Sequence, residues 1–213
     1  MSFEILTTAT CRWSVRNIVA LREKGADFRL VDVMMNGRKA PWFVELTPFG
    51  KTPALRHADH IVVESRAINE YIEDIVPGRG LLPSDPIRRA WARIWNGYCD
   101  EEIMKHVRLA AAAESQTRQR GLEDLDAAFA RLESHVFRHA QPGLYWGGGE
   151  PSLTDICYWS LFDVLERIDV LLPARSLLYA RPRIGEWSRN LLAHPAFAEA
   201  DSLLERLASG GQH

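Results

Sequence analysis

Cysteine is scarce in this chain of 213 residues: Cys11, Cys99 and Cys157 are all there is. Three thiols, odd in number and far apart, exclude a disulfide framework and give no zinc-cluster spacing, so reduced thiols and no metal are expected. His135 and His139 share a helix face at ligand spacing, yet no third ligand accompanies them. An excess of charge is missing as well. Lys plus Arg number 26 against 28 Asp plus Glu, which removes the electrostatic footprint of a nucleic-acid or anionic-membrane partner. Apolar runs stay short of the roughly eighteen residues of a membrane span. Residues 1–6 lack the basic-then-apolar profile of a signal peptide, so a cytoplasmic location is expected.

What is there is the ordinary mixture of a folded chain, 46% apolar and 25% charged, enough to bury a core in one large domain or two small ones. Phe3 to Leu6 predict a strand, Thr7-Thr8-Ala9-Thr10 a turn, and residues 13–24 a helix closed by Gly25. Phe28, Leu30, Val31 and Val33 predict a second strand, and Trp42, Phe43 and Leu46 a short helix ending before Pro48 and Gly50. Two short apolar runs around residues 57–60 predict a hairpin, with a helix over 65–75 after it. Residues 1–77 therefore form a β-α-β-α-β-β-α domain. Residues 78–86, rich in Gly and Pro, have the composition of a linker. Residues 87–213 are expected to be all helical: Trp91, Ile94, Trp95 and Tyr98 recur at helical spacing, as do Leu122, Leu125, Phe129, Leu132 and Val136, and a terminal helix carries Ile184, Trp187 and Leu191. The tail over 208–213 is expected to fray. Cys99 and Cys157 fall in apolar helical stretches, where a free thiol behaves as a small hydrophobe.

Three motifs stand out against this background. Thr47-Pro48-Phe49-Gly50-Lys51-Thr52-Pro53-Ala54-Leu55 precedes the hairpin; its Gly50-Lys51-Thr52 lacks the upstream glycine of a phosphate-binding loop. Val63-Glu64-Ser65-Arg66-Ala67-Ile68 opens a helix, and Ser65 is expected at its N-cap, where a carboxylate would meet free N–H groups and the positive dipole end. Ser152-Leu153-Thr154-Asp155 has the spacing of a capping box. In this order, the three resemble the cytosolic glutathione transferase superfamily, across nearly the whole chain. The resemblance implies a thioredoxin-like α/β N-terminal domain followed by an all-α helical domain, with glutathione as cosubstrate and a homodimer as the assembly.

What the resemblance implies for single residues follows. Pro53 is the cis proline that turns the Thr52 backbone toward the cysteinyl backbone of glutathione. Ser65 receives the γ-glutamyl carboxylate, Glu64 the α-ammonium, and Lys39 the glycyl carboxylate. The residue beside the glutathione sulfur is a tyrosine, serine or cysteine after the first strand. The first tyrosine here is Tyr71, which leaves Cys11 or a neighbouring hydroxyl. Cys11, followed by Arg16 and Glu23-Lys24-Gly25, is similar to the omega-class pattern and occupies the nucleophile position, although Arg12 replaces the usual proline. A cysteine leading into a helix is favoured as thiolate by the free N–H groups, and Arg12 and Arg16 would act the same way. Ser14 stands where a dithiol oxidoreductase carries its second cysteine, so monothiol chemistry is expected, on a small disulfide or electrophilic substrate. Two alternatives stay open: conjugation of glutathione to an electrophile, with Cys11 or Ser14 steadying the thiolate, and a non-catalytic glutathione-binding module.

Overall fold

The computed structural model describes residues 2–209. Two compact units emerge, one holding the chain through Gly80 together with the segment from His194 onward, the other spanning Leu81–Ala193.

In the first unit, β1 (Ser2–Thr7), β2 (Asp27–Asp32), β5 (Ala54–His57) and β6 (His60–Val63) form one sheet in the order β2-β1-β5-β6. Strand β2 lies parallel to β1 with Leu30 opposite Ile5, whereas β5 and β6 are antiparallel additions. A parallel neighbour requires a crossover, and α1 (Arg12–Glu23) supplies it, burying Val15, Ile18, Val19 and Leu21. Helix α2 (Pro41–Leu46) is fixed by Phe43, which joins Leu6, Val33 and Ala54 in a buried cluster. Helix α3 (Ser65–Ile75) packs beside α1. The β-α-β-α-β-β-α order read from the sequence is thus present. One element was not foreseen: a two-residue hairpin of β3 (Met34–Met35) and β4 (Arg38–Lys39). Asn36 and Gly37 turn it, both at positive φ (52° and 77°), as an Asn-Gly turn between twisted strands requires.

The segment expected to be helical, residues 87–213, divides between the two units. Helix α10 (Pro195–Ala208) groups with the first unit rather than with the helical one. It packs on α1, where Arg12 pairs with Asp201 and Arg22 with Glu199. The frayed tail expected over 208–213 lies, beyond Ser209, outside the described residues; Ala208 ends α10.

The second unit contains α4 (Pro86–Gly97), a π-helical segment (Tyr98–Ile103), α5 (Met104–Ala110), α6 (Ser115–His135), α7 (Leu153–Arg167), α8 (Leu172–Tyr179) and α9 (Pro182–Leu192). Helix α7 is its axis, buried on every side from Leu153 to Leu165. The capping box at its start is complete. Asp155 is fully buried and accepts from the Ser152 N–H (2.8 Å) and hydroxyl (2.7 Å), the Trp146 and Gly147 N–H groups (2.7 and 2.9 Å) and the Trp187 indole (2.7 Å). Burial pushes this carboxyl above its usual range, and the donors around it pull the other way. No helix among the described residues is long and apolar enough to cross a membrane.

Asp155 therefore binds the start of α7 to the 146–147 loop and to α9 at once. Replacing it by Ala strands four buried donors and a fifth, the Gly147 N–H, that is part-buried, each buried one costing about 1–3 kcal/mol unless water reaches it. Asp155→Ala is expected to lower the urea unfolding free energy by at least about 3 kcal/mol; a loss below about 1 kcal/mol would assign the helix start to hydrophobic burial instead.

Candidate active site

The site is assembled in the first unit, where the second turn of α1 meets the start of α3. Strand β1 ends at Thr7, and a tight turn closed by the Cys11 N–H on the Thr8 carbonyl (3.0 Å) delivers the chain into α1. Cys11 is the N-cap of that helix. Its backbone is extended (φ -81°, ψ 97°), no side chain caps the helix, and its free thiol is part-exposed. The sulfur thus sits at the positive end of a twelve-residue helix, as the sequence led one to expect.

Its neighbours are arranged differently from expectation. The Ser14 hydroxyl is completely buried against Thr7, with which it shares a short hydrogen bond. It fastens strand to helix. Arg12 is engaged by Asp201. Arg16 is buried and reaches the Ser65 hydroxyl (3.4 Å) while lying 5.9 Å from the Trp13 ring centre.

Helix α3 shows a second departure. The cap falls on Glu64, and Ser65 is the first helical residue. No side chain caps this helix either, so its opening N–H groups stay available to an anion. Ser65 is buried, with its hydroxyl accepting from Arg16 and its carbonyl from Asn17 (2.9 Å). Asn17 also donates to Asn69 (2.6 Å). This buried polar bridge between α1 and α3 escaped the sequence reading. Its signal was present: Asn17 lies between Val15 and Ile18, and Asn69 beside Ile68, on otherwise apolar helix faces.

Glu64 itself is exposed and holds φ 68°, ψ 115°, a conformation that costs a residue with a Cβ about 1–3 kcal/mol and concentrates at ligand sites. The Thr52-Pro53 bond is cis. The Thr52 N–H and C=O take no part in the turn and loop hydrogen bonds of the described residues. Lys39, delivered by β4, is part-buried and donates from Nζ to the Gly50 carbonyl (2.7 Å), which draws it toward the loop that carries Thr52 and Pro53.

Known proteins bear on this arrangement. Residues 10–75 match the family model for the glutathione S-transferase N-terminal domain, and residues 115–190 the one for the C-terminal domain. A glutathione S-transferase from Hyoscyamus muticus is 30% identical over 201 residues, covering 87% of this chain and 91% of that protein. The chain belongs to the glutathione S-transferase family. Another relative, glutathione S-transferase U16 of Arabidopsis thaliana, is 27% identical over 92% of this chain and 86% of its own. Among solved structures, a Tau class transferase from mango superposes with a TM-score of 0.81 at 23% identity, covering 97% of each chain. Glutathione transferase Omega 3C from Trametes versicolor does so with 0.76 at 21%, covering 94% of this chain and 89% of that one. Both share the fold. The omega likeness read from the sequence is therefore carried by the Cys11 motif, and the wider comparison does not single that class out.

The strain at Glu64 can be released without touching the core. Glu64→Gly is expected to raise the unfolding free energy by about 1 kcal/mol, the conformational relief less the extra chain entropy of glycine, whereas Glu64→Ala is expected to leave the strain in place. Equal stabilities for the two variants in urea would contradict this.

Proposed function

We propose that this glutathione transferase works as a monothiol enzyme through Cys11, reducing small disulfide or glutathionylated substrates with glutathione. The observation that carries the reading is the part-exposed Cys11 thiol at the uncapped start of α1. Thr52 supplies backbone groups to the cysteinyl part of glutathione, beside Pro53. The uncapped start of α3 at Ser65 takes the γ-glutamyl carboxylate, exposed Glu64 its ammonium, and Lys39 the glycyl carboxylate.

The chemistry balances with glutathione alone. The Cys11 thiolate attacks the glutathionyl sulfur of a mixed disulfide; the S–S bond breaks, and the substrate leaves as thiolate and takes a proton from water. Cys11 is then joined to glutathione. A second glutathione thiolate attacks that bond, forming glutathione disulfide and returning the Cys11 thiolate. Within the first unit, buried Ser14 offers no resolving thiol, which fits a single-cysteine cycle. A second reading, conjugation to an electrophile, is favoured by the names of the plant relatives, all glutathione S-transferases. In that reaction Cys11 only steadies the bound thiolate.

A homodimer fits a surface on the same unit. Met34, Met35, Trp42, Val44, Leu46 and Phe49 are large, apolar and exposed within sixteen residues of sequence, a density that a lone soluble chain rarely displays. A second copy is the natural cover.

The two enzyme readings separate in one variant. Cys11→Ser is expected to reduce a glutathione mixed disulfide no faster than the uncatalysed reaction while retaining binding to immobilised glutathione. Full reductase activity in Cys11→Ser would overturn the monothiol cycle, and loss of reductase activity with conjugation preserved would place both reactions on one bound glutathione. Phe49→Glu is expected to shift sedimentation from dimer to monomer.

A further inference from the structure

Far apart in sequence, Cys99 and Cys157 meet in the second unit. The sulfur of Cys99, the sulfur of Cys157 and a carboxylate oxygen of Asp100 all lie within 4.8 Å of one another. Cys157 comes from α7, and Cys99 and Asp100 come from the π-helical segment after α4. Such π-turns are rare and gather at functional sites. We propose that Cys99, Asp100 and Cys157 form a binding site for a thiophilic divalent cation of the zinc type.

The donor set suits that ion. Two thiolates and a carboxylate supply sulfur and hard oxygen in the proportion that tetrahedral zinc accepts. With Zn–S near 2.3 Å, tetrahedral ligands stand about 3.5–3.8 Å apart, so side-chain adjustments of about 1 Å suffice to converge these three. The pair of sulfurs is buried, and Asp100 is part-exposed, giving a hydrated cation one side from which to approach. Further polar atoms lie beside the cluster. The Cys157 thiol donates to the Asn96 carbonyl (3.8 Å), and the buried Asn96 side-chain oxygen accepts no hydrogen bond among the described residues. Both belong to the turn that precedes Cys99. A cation held there would displace the thiol protons and cross-link the segment after α4 to α7. Two thiols 58 positions apart carry no ligand spacing, which is why the sequence pointed to no metal.

The test uses the full chain, reduced and stripped of metal, titrated with Co²⁺ and followed by absorption. One equivalent is expected to bring up a thiolate-to-cobalt charge-transfer band with tetrahedral visible bands, and Zn²⁺ to bleach them. Cys11→Ser is expected to leave the bands unchanged, while the double variant Cys99→Ser, Cys157→Ser abolishes them. Because buried Cys→Ser changes can unfold a core, Asp100→Asn provides a second variant at a part-exposed position, with affinity expected to fall by about tenfold or more. No charge-transfer band in the native protein, bands that vanish in Cys11→Ser, or affinity unmoved in Asp100→Asn would each overturn the proposal.

Discussion

The arrangement of the candidate active site depends on a buried polar bridge between two helices. Asn17 of α1 donates to the Ser65 carbonyl and to Asn69, and Arg16 reaches the Ser65 hydroxyl, so the second turn of α1 and the start of α3 are held together by side chains that water does not screen. Apolar contacts between α1 and α3 would tolerate sliding; hydrogen bonds of 2.6–2.9 Å fix register and rotation. The consequence is that one helix start carrying a thiol and another left open for an anion are set relative to each other before any ligand arrives. Preorganisation of this kind lowers the cost of binding a flexible tripeptide.

The same logic governs the second unit through different chemistry. There a single carboxylate, Asp155, gathers donors from three segments around the start of α7, the helix with the most completely buried surface. A fully satisfied buried group specifies one packing, because any shift of the segments leaves donors unpaired. In both units the fold is pinned by a few polar residues within an apolar core, and area alone would not have located them.

Much of this was legible in the sequence. Periodicity placed the strands and α1 to α3, since half-buried strands and amphipathic helices write their burial into residue spacing, and Ser152 with Asp155 announced its capping box. The turn at Asn36-Gly37 is a strong local signal, but its strands are only two residues long, too short to write a period into the sequence. What could not be read were relations between distant residues. The transfer of α10 to the first unit rests on Arg12 meeting Asp201, and the approach of Cys99 to Cys157 rests on how α4 packs against α7; neither leaves a trace in local pattern. Ser14 and Ser65 illustrate a finer limit. Both hydroxyls are buried, and a shift of one residue at the cap, or a quarter turn about the helix, which no local pattern fixes, decides where a hydroxyl faces.

The sulfur at the start of α1 is part-exposed, whereas the other two lie buried in the helical unit, and the proposed chemistry rests on that difference. Mass spectrometry of the native protein after exposure to glutathione disulfide tests it most directly, by locating the glutathionyl adduct among the three cysteines. The account predicts a single adduct, on Cys11. An unmodified Cys11, or an adduct on Cys99 or Cys157 in its place, would contradict it.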